Sequence, residues 1–201
     1  MTDPKTLLQL AGADLSPARL NEACLVLIDY QNDYLDGPIA VVEPAAAIAC
    51  ALRLLDEARR LSAPVFHIVH KGRAGGLFDR DAARGQIVAP LAPLANEPIV
   101  EKGLPNAFAN TDLDAGLRAA RRKDVVIVGF MTHMCVSATT RAALDLGHRV
   151  TIVAEACATR DLPNGRGGVV PARTVHEVAL VELADRFAII AQCAGDVASR
   201  G

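Results

Sequence analysis

The chain has 201 residues, 51% of them hydrophobic, with 21 Lys and Arg against 23 Asp and Glu and a net charge of −2. That apolar content excludes a disordered chain, and the length buries a sizeable core without disulfides or metals. Interspersed charges leave no electrostatic footprint for nucleic acid or an anionic membrane, and 3% aromatics is too few for a base-stacking surface.

Residues 1–201 read as a single domain, with 1–22 as an N-terminal extension that lacks the pattern of a signal peptide. The first predicted strand is Cys24–Ile28, a continuous apolar run of the kind buried on both faces of a parallel sheet. It leads into Asp29, within LIDYQNDY at 27–34. A helix is predicted from Pro44 to Leu61, opened by Glu43 as cap and Pro44 in the first turn. The strand Val65–Val69 follows and carries His67, with His70 just beyond. Three apart, these histidines point to opposite faces of a strand, and both are read as structural. A long connection, Lys71 to Glu97, leads to the strand Pro98–Val100 and then to Lys102, within EKGLPNAF at 101–108.

The predicted helix from Thr111 to Arg122 opens with Thr-Asp-Leu-Asp, close to a capping box. Val125–Val128 is the fourth strand. It runs into GFMTHMCVSATTRAALDLG at 129–147, where Cys135 stands at the start of a helix that ends on Gly147, a suitable C′ glycine. Val150–Val153 is the fifth strand. A second long connection, Thr159 to Ala172, contains DLPNGRGGVVP, whose glycines lack the strand-to-helix setting of a phosphate cradle. A helix from Arg173 to Arg186 and a strand Phe187–Ile190 complete the chain. Alternating strands and helices predict an α/β fold with a doubly wound parallel sheet. No apolar run approaches the roughly 20 residues of a membrane span.

The five cysteines, Cys24, Cys50, Cys135, Cys157 and Cys193, are odd in number, widely spaced and free of CxxC pairs. That argues against a disulfide framework and a structural zinc site, and fits reduced thiols in the cytoplasm. In open α/β sheets, ligands bind beyond the carboxyl ends of the strands. Asp29, Lys102 and Cys135 each follow a predicted strand. Singly they read as a turn residue, a surface lysine and a buried thiol. Together they form a chemically complete set. A helix N-terminus and a nearby cation lower a thiol pKa, and a carboxylate can take the thiol proton. His133, two residues before Cys135, is a rival base. Asp29 is preferred, and His133 is read as a turn residue near the pocket mouth.

The stretches LIDYQNDY, EKGLPNAF and GFMTHMCVSATTRAA, at 27–34, 101–108 and 129–143, resemble the isochorismatase-like cysteine hydrolases. The likeness runs from about Leu25 to Ile190. It implies a parallel six-stranded sheet with helices on both sides, and an Asp–Lys–Cys triad at Asp29, Lys102 and Cys135. It also implies substrate-binding roles for Gln31, Phe108 and His133, no organic cofactor, and homo-oligomers (dimers, tetramers or larger). A cis Phe130–Met131 peptide is implied as well, with the Met131 and Cys135 N–H groups forming an oxyanion hole. The Asp-x-His-x-x-x-His motif of the nicotinamidase branch is missing from VFHIVHKGRAGGLFD, so no metal is expected. A cysteine favours acyl chemistry over vinyl-ether hydrolysis. The expected activity is therefore C–N hydrolysis of a small amide, ureide or lactam through a thioester. An isochorismatase-type vinyl-ether hydrolase and a non-hydrolytic ligand-binding or redox-sensing protein are the alternatives. The expected partner is a small-molecule substrate, with neither nucleic acid nor membrane.

Overall fold

Short aliphatic runs form the centre of the molecule, seen in a computed structural model that describes residues 3–122 and 124–198. The expected domain, 1–201, extends to residues 1, 2, 123 and 199–201, which lie outside the described residues. The strands are β1 (Ala23–Ile28), β2 (Val65–His70), β3 (Ile99–Lys102), β4 (Asp124–Phe130), β5 (Arg149–Ala158) and β6 (Ile189–Ala191). They form one parallel sheet in the order β3-β2-β1-β4-β5-β6. β1 and β4 lie at its centre and are buried throughout, which is why they read as unbroken apolar runs.

Besides a single turn at Leu7–Leu10, the α-helices among the described residues are α1 (Pro44–Arg60), α2 (Leu113–Ala119), α3 (Ser137–Asp145) and α4 (Ala172–Arg186), which cover the sheet. α1 buries Ala47, Ile48, Ala51, Leu54, Leu55 and Ala58, a helical stripe. Leu54 and Leu55 each contribute about 2 kcal/mol by leaving water. Right-handed crossovers put α3 and α4 on the face opposite α1. α2 lies beside the end of α3, tied by Arg118 to the Leu146 carbonyl and by Asp114 to His148.

Several element ends differ from expectation. Lys102 is the last residue of β3 rather than a residue after it, because Val69, Glu101, His70 and Lys102 continue the β2–β3 pairing. β5 runs on to Ala158 through small residues, Ala154 and Ala156, that the apolar pattern does not mark. β6 starts at Ile189, since Phe187 closes α4. α2 spans only Leu113–Ala119 and the capping box does not form: the Thr111 hydroxyl donates to the Ala107 carbonyl and accepts from the Leu113 N–H. Glu43 occupies the N-cap of α1 in a left-handed conformation, φ 54°, and its side chain makes no capping bond.

The connection 71–97 is laced to residues 30–34. The Asn32 N–H donates to Gln86 O, the Val88 N–H to Tyr30 O, and the Asn32 amide to Ala83 O. The Asp33 carboxylate accepts from the Phe78 N–H and from Arg84. The second connection folds into a small hairpin, Leu162–Pro163 against Val169–Val170.

Gly129 is required where β4 passes β1. Its φ is +142°, and a Cβ there would lie 2.1 Å from the Ile28 carbonyl oxygen. Gly129→Ala is expected to cost at least about 3 kcal/mol, from a disallowed backbone plus a backbone clash. Urea unfolding measures it, and a loss below about 1 kcal/mol would contradict this packing.

Candidate active site

The chain leaves β1 toward β2 and β3, then crosses back to β4 on the other side of β1. The crevice at such a reversal is where open α/β sheets bind ligands. Asp29 emerges from β1 on one side of it, and Cys135 from the turn after β4 on the other. Asp29 is fully buried and left-handed, φ 53°. It is held there by its N–H on Ile68 O and its carbonyl under the Gln31 N–H. An aspartate tolerates this region better than most residues.

Lys102 lies two strands from β1, roughly 10 Å across the sheet at ordinary strand spacing. Only a long side chain spans that distance. Its Nζ, fully buried, lies 2.7 Å from Asp29 Oδ2, 3.4 Å from Cys135 Sγ and 3.3 Å from His70 Nδ1. An acid, a cation and a thiol thus converge. The second carboxylate oxygen, Asp29 Oδ1, is buried with no hydrogen-bond partner among the described residues. It is the atom with capacity to accept another proton.

Cys135 sits in a π-helical turn, Thr132–Val136, ahead of α3 rather than in its first turn. The Met131 carbonyl accepts from the Met134 and Val136 N–H groups, which flank Cys135. The Thr132 hydroxyl bonds Ala158 O at 3.2 Å and His176 Nδ1 at 2.8 Å, fastening the turn to β5 and α4. The Phe130–Met131 peptide is cis.

The thiol is not acidified. Burial, and then the Asp29 carboxylate, push Cys135 up to about 12, and Lys102 only partly offsets them. The expected depression fails first because burial disfavours the thiolate, and then because the cation that would stabilise it is shared with a carboxylate. At neutral pH the sulfur therefore keeps its proton until a base removes it.

His133 is half-buried, with Nδ1 bonded to the Thr159 hydroxyl, and burial and the nearby Arg160 cation lower its pKa. Gln31 was expected at substrate. Instead its amide is fully buried, donating to the carbonyls of His70 and Gly85 and accepting from the His70 N–H. Those bonds use its polar atoms to fix the pocket walls. The Phe108 ring stacks on His148, at the amino end of β5 and the opposite sheet edge from Cys135.

His67 is structural, as read from the sequence: its Nε2 bonds Glu97 at 2.9 Å. Burial opposes the Glu97 charge, but Arg59, the Leu94 N–H and His67 together hold its pKa down at about 2. His70, also read as structural, lies with Nδ1 3.3 Å from Lys102 Nζ. Its position was missed because strand register is invisible in one sequence. The usable signal was that it ends β2, as Lys102 ends β3. Among the described residues no group of three His, Cys, Asp or Glu is arranged to hold a metal ion.

A groove of about 700 Å³ opens between α1, the end of β5 and the start of α4, and Asp29, Lys102 and Cys135 are not among its lining residues. Thr159, the partner of His133, lies on its wall, as does His176. No described helix is long and apolar enough to cross a membrane.

Residues 23–194 match the family model described as the isochorismatase domain. A crystal structure of an isochorismatase from Pseudomonas putida KT2440 superposes with a TM-score of 0.92 at 42% identity, covering 96% of this chain and 99% of that one. Streptothricin hydrolase of Streptomyces noursei is 34% identical over 85% of this chain and 62% of its own length. A ureidoacrylate amidohydrolase, RutB, of Acinetobacter baylyi is 32% identical over 36% of this chain and 29% of its own.

Proposed function

The chain belongs to the isochorismatase family of hydrolases, and we propose that within it this protein cleaves a C–N bond of a small amide, ureide or lactam through a thioester on Cys135. The observation that carries this reading is the shared ammonium: Lys102 Nζ touches both the Asp29 carboxylate and the Cys135 sulfur. The resemblance to a named amidohydrolase supports the bond class.

In this mechanism Asp29 takes the Cys135 proton as sulfur attacks the substrate carbonyl. Lys102 stays charged and steadies first the carboxylate, then the thiolate. The oxyanion is received by the Met131 and Cys135 N–H groups. Protonated Asp29 gives its proton to the departing nitrogen, which leaves as the amine. Asp29 then takes a proton from water as the water oxygen attacks the thioester, and returns that proton to the departing sulfur, which releases the acid and restores both the thiol and the carboxylate. The elevated thiol pKa suits this order, because the proton moves only when a substrate is present. Gln31 and Asp33 hold the backbone around Asp29 and His70, and His133, two residues before Cys135 and bonded to Thr159, is the residue proposed to meet a substituent on the substrate.

The test is a panel of small amides, ureides and lactams, assayed by ammonia or amine release, with isochorismate alongside. Turnover of a C–N substrate, with an acyl-enzyme of the matching mass trapped on Cys135, supports the reading. Hydrolysis of isochorismate alone overturns it in favour of vinyl-ether chemistry.

A further inference from the structure

We propose that His70 is a positioning residue, whose Nδ1 accepts a hydrogen bond from Lys102 and fixes the ammonium between Asp29 and Cys135. The inference rests on the reading that these three residues carry the reaction.

The contact follows from sheet register. β2 lies between β3 and β1, and His70 is paired directly with Lys102. Paired positions of adjacent parallel strands project to one face. The lysine side chain must cross β2 to reach Asp29, and it crosses at His70. An ammonium has three N–H groups and no acceptor. Here three acceptors surround it: Asp29 Oδ2 at 2.7 Å, His70 Nδ1 at 3.3 Å and Cys135 Sγ at 3.4 Å. Without the third, the ammonium is free to rotate about its stem and to lengthen its contact with sulfur.

The ring is itself held. Its residue's N–H and C=O are both bonded by the Gln31 amide, and Phe78 packs against it at 5.0 Å between centroids. Phe78 is fixed through its N–H by buried Asp33. Two polar residues of LIDYQNDY therefore serve the imidazole, which gives that stretch a purpose beyond Asp29. Because Lys102 donates to Nδ1, the ring proton lies on Nε2. A protonated ring would turn an N–H toward an ammonium, and the contact would be lost. Burial, and then the Lys102 charge, lower the His70 pKa and keep the ring neutral. The charged groups acting on it are Lys102 from β3 and Asp29 after β1; its neighbour Lys71 is paired with Glu101.

Two variants separate positioning from packing. His70→Leu keeps bulk and removes the acceptor. His70→Asn places an amide oxygen where Nδ1 stood, an acceptor that cannot be protonated. The probe is iodoacetamide, with Cys135 alkylation followed by mass spectrometry across pH, so no substrate need be known. Loss of one hydrogen bond to a charged group predicts about tenfold slower alkylation in His70→Leu, and His70→Asn within about threefold of the parent. The parent's rate should also fall more steeply with decreasing pH once the imidazole protonates, below the ordinary histidine range, and His70→Asn should lack that steepening. Should His70→Leu not fold, the Asn profile decides alone. A parent-like profile in His70→Asn overturns the proposal, as does an unchanged rate in His70→Leu. A substrate turned over undiminished by Cys135→Ala would instead overturn the function reading and leave this geometry standing.

Discussion

Cys135→Ala is expected to lower turnover of a cleaved amide by at least about 10⁴-fold, the scale seen when a covalent nucleophile is deleted from a catalytic set. No neighbouring group can take its place. Asp29 and Lys102 remain paired without the sulfur, so the variant retains the buried ion pair. The thiol is only 4% exposed, and its loss leaves a small void rather than an unpaired charge. The cost in stability should therefore be about 1 kcal/mol. Cys135→Ser should be equally inactive, since a hydroxyl beside the same carboxylate is harder still to ionise. Initial rates of amine release, on protein checked by thermal melting, measure the effect. A variant that keeps a tenth of the activity would exclude a thioester.

Asp29→Asn is expected to cost at least about 100-fold, the usual loss for a general acid–base group. Asparagine accepts the left-handed backbone at this position, so the loop should hold its shape. The substitution leaves the Lys102 ammonium buried without its carboxylate, a cost of roughly 3–5 kcal/mol. Thermal melting must therefore accompany the kinetics. One result would be diagnostic. The Asp29 charge raises the Cys135 pKa, so the thiol of the variant should ionise at lower pH than the parent's. Ultraviolet titration of the thiolate reads this directly. The variant would combine a more acidic sulfur with almost no turnover, which separates proton transfer from thiol acidity. His133→Ala should cost less than about tenfold, because its ring nitrogen is engaged with Thr159. The reverse order of effects would make His133 the base.

The sheet was legible because its central strands are buried on both faces: β1 and β4 have no polar face to break the pattern. Their ends were less so. Ala154 and Ala156 extend β5 without apolar contrast, and Lys102 closes β3 although lysine rarely marks a strand. The reactive cluster was legible by position, since Asp29, Lys102 and Cys135 come from one edge of the sheet. What could not be read were the contacts set by register and loop docking. His70 meets Lys102 through pairing across two strands. Gln31 spends its amide on backbone 39 and 54 residues away. The rise in the thiol pKa is hidden for a related reason: desolvation depends on everything packed above the sulfur, and one chain segment does not reveal it.

The way the connection 71–97 is moored divides it into two parts with different freedoms. The Gly72 N–H bonds Phe78 O, closing a stem from which 73–77 project. The stem closes because Gly72 has no side chain: a Cβ would fall 1.8 Å from Leu77 O. The bonds that tie the connection to 30–34 begin at Phe78 and lie outside that tip. Residues 73–77 can thus change in sequence without pulling on Asp29 or His70. The tip behaves as an exchangeable cassette on a fixed chassis, free to vary while the reactive geometry stays untouched.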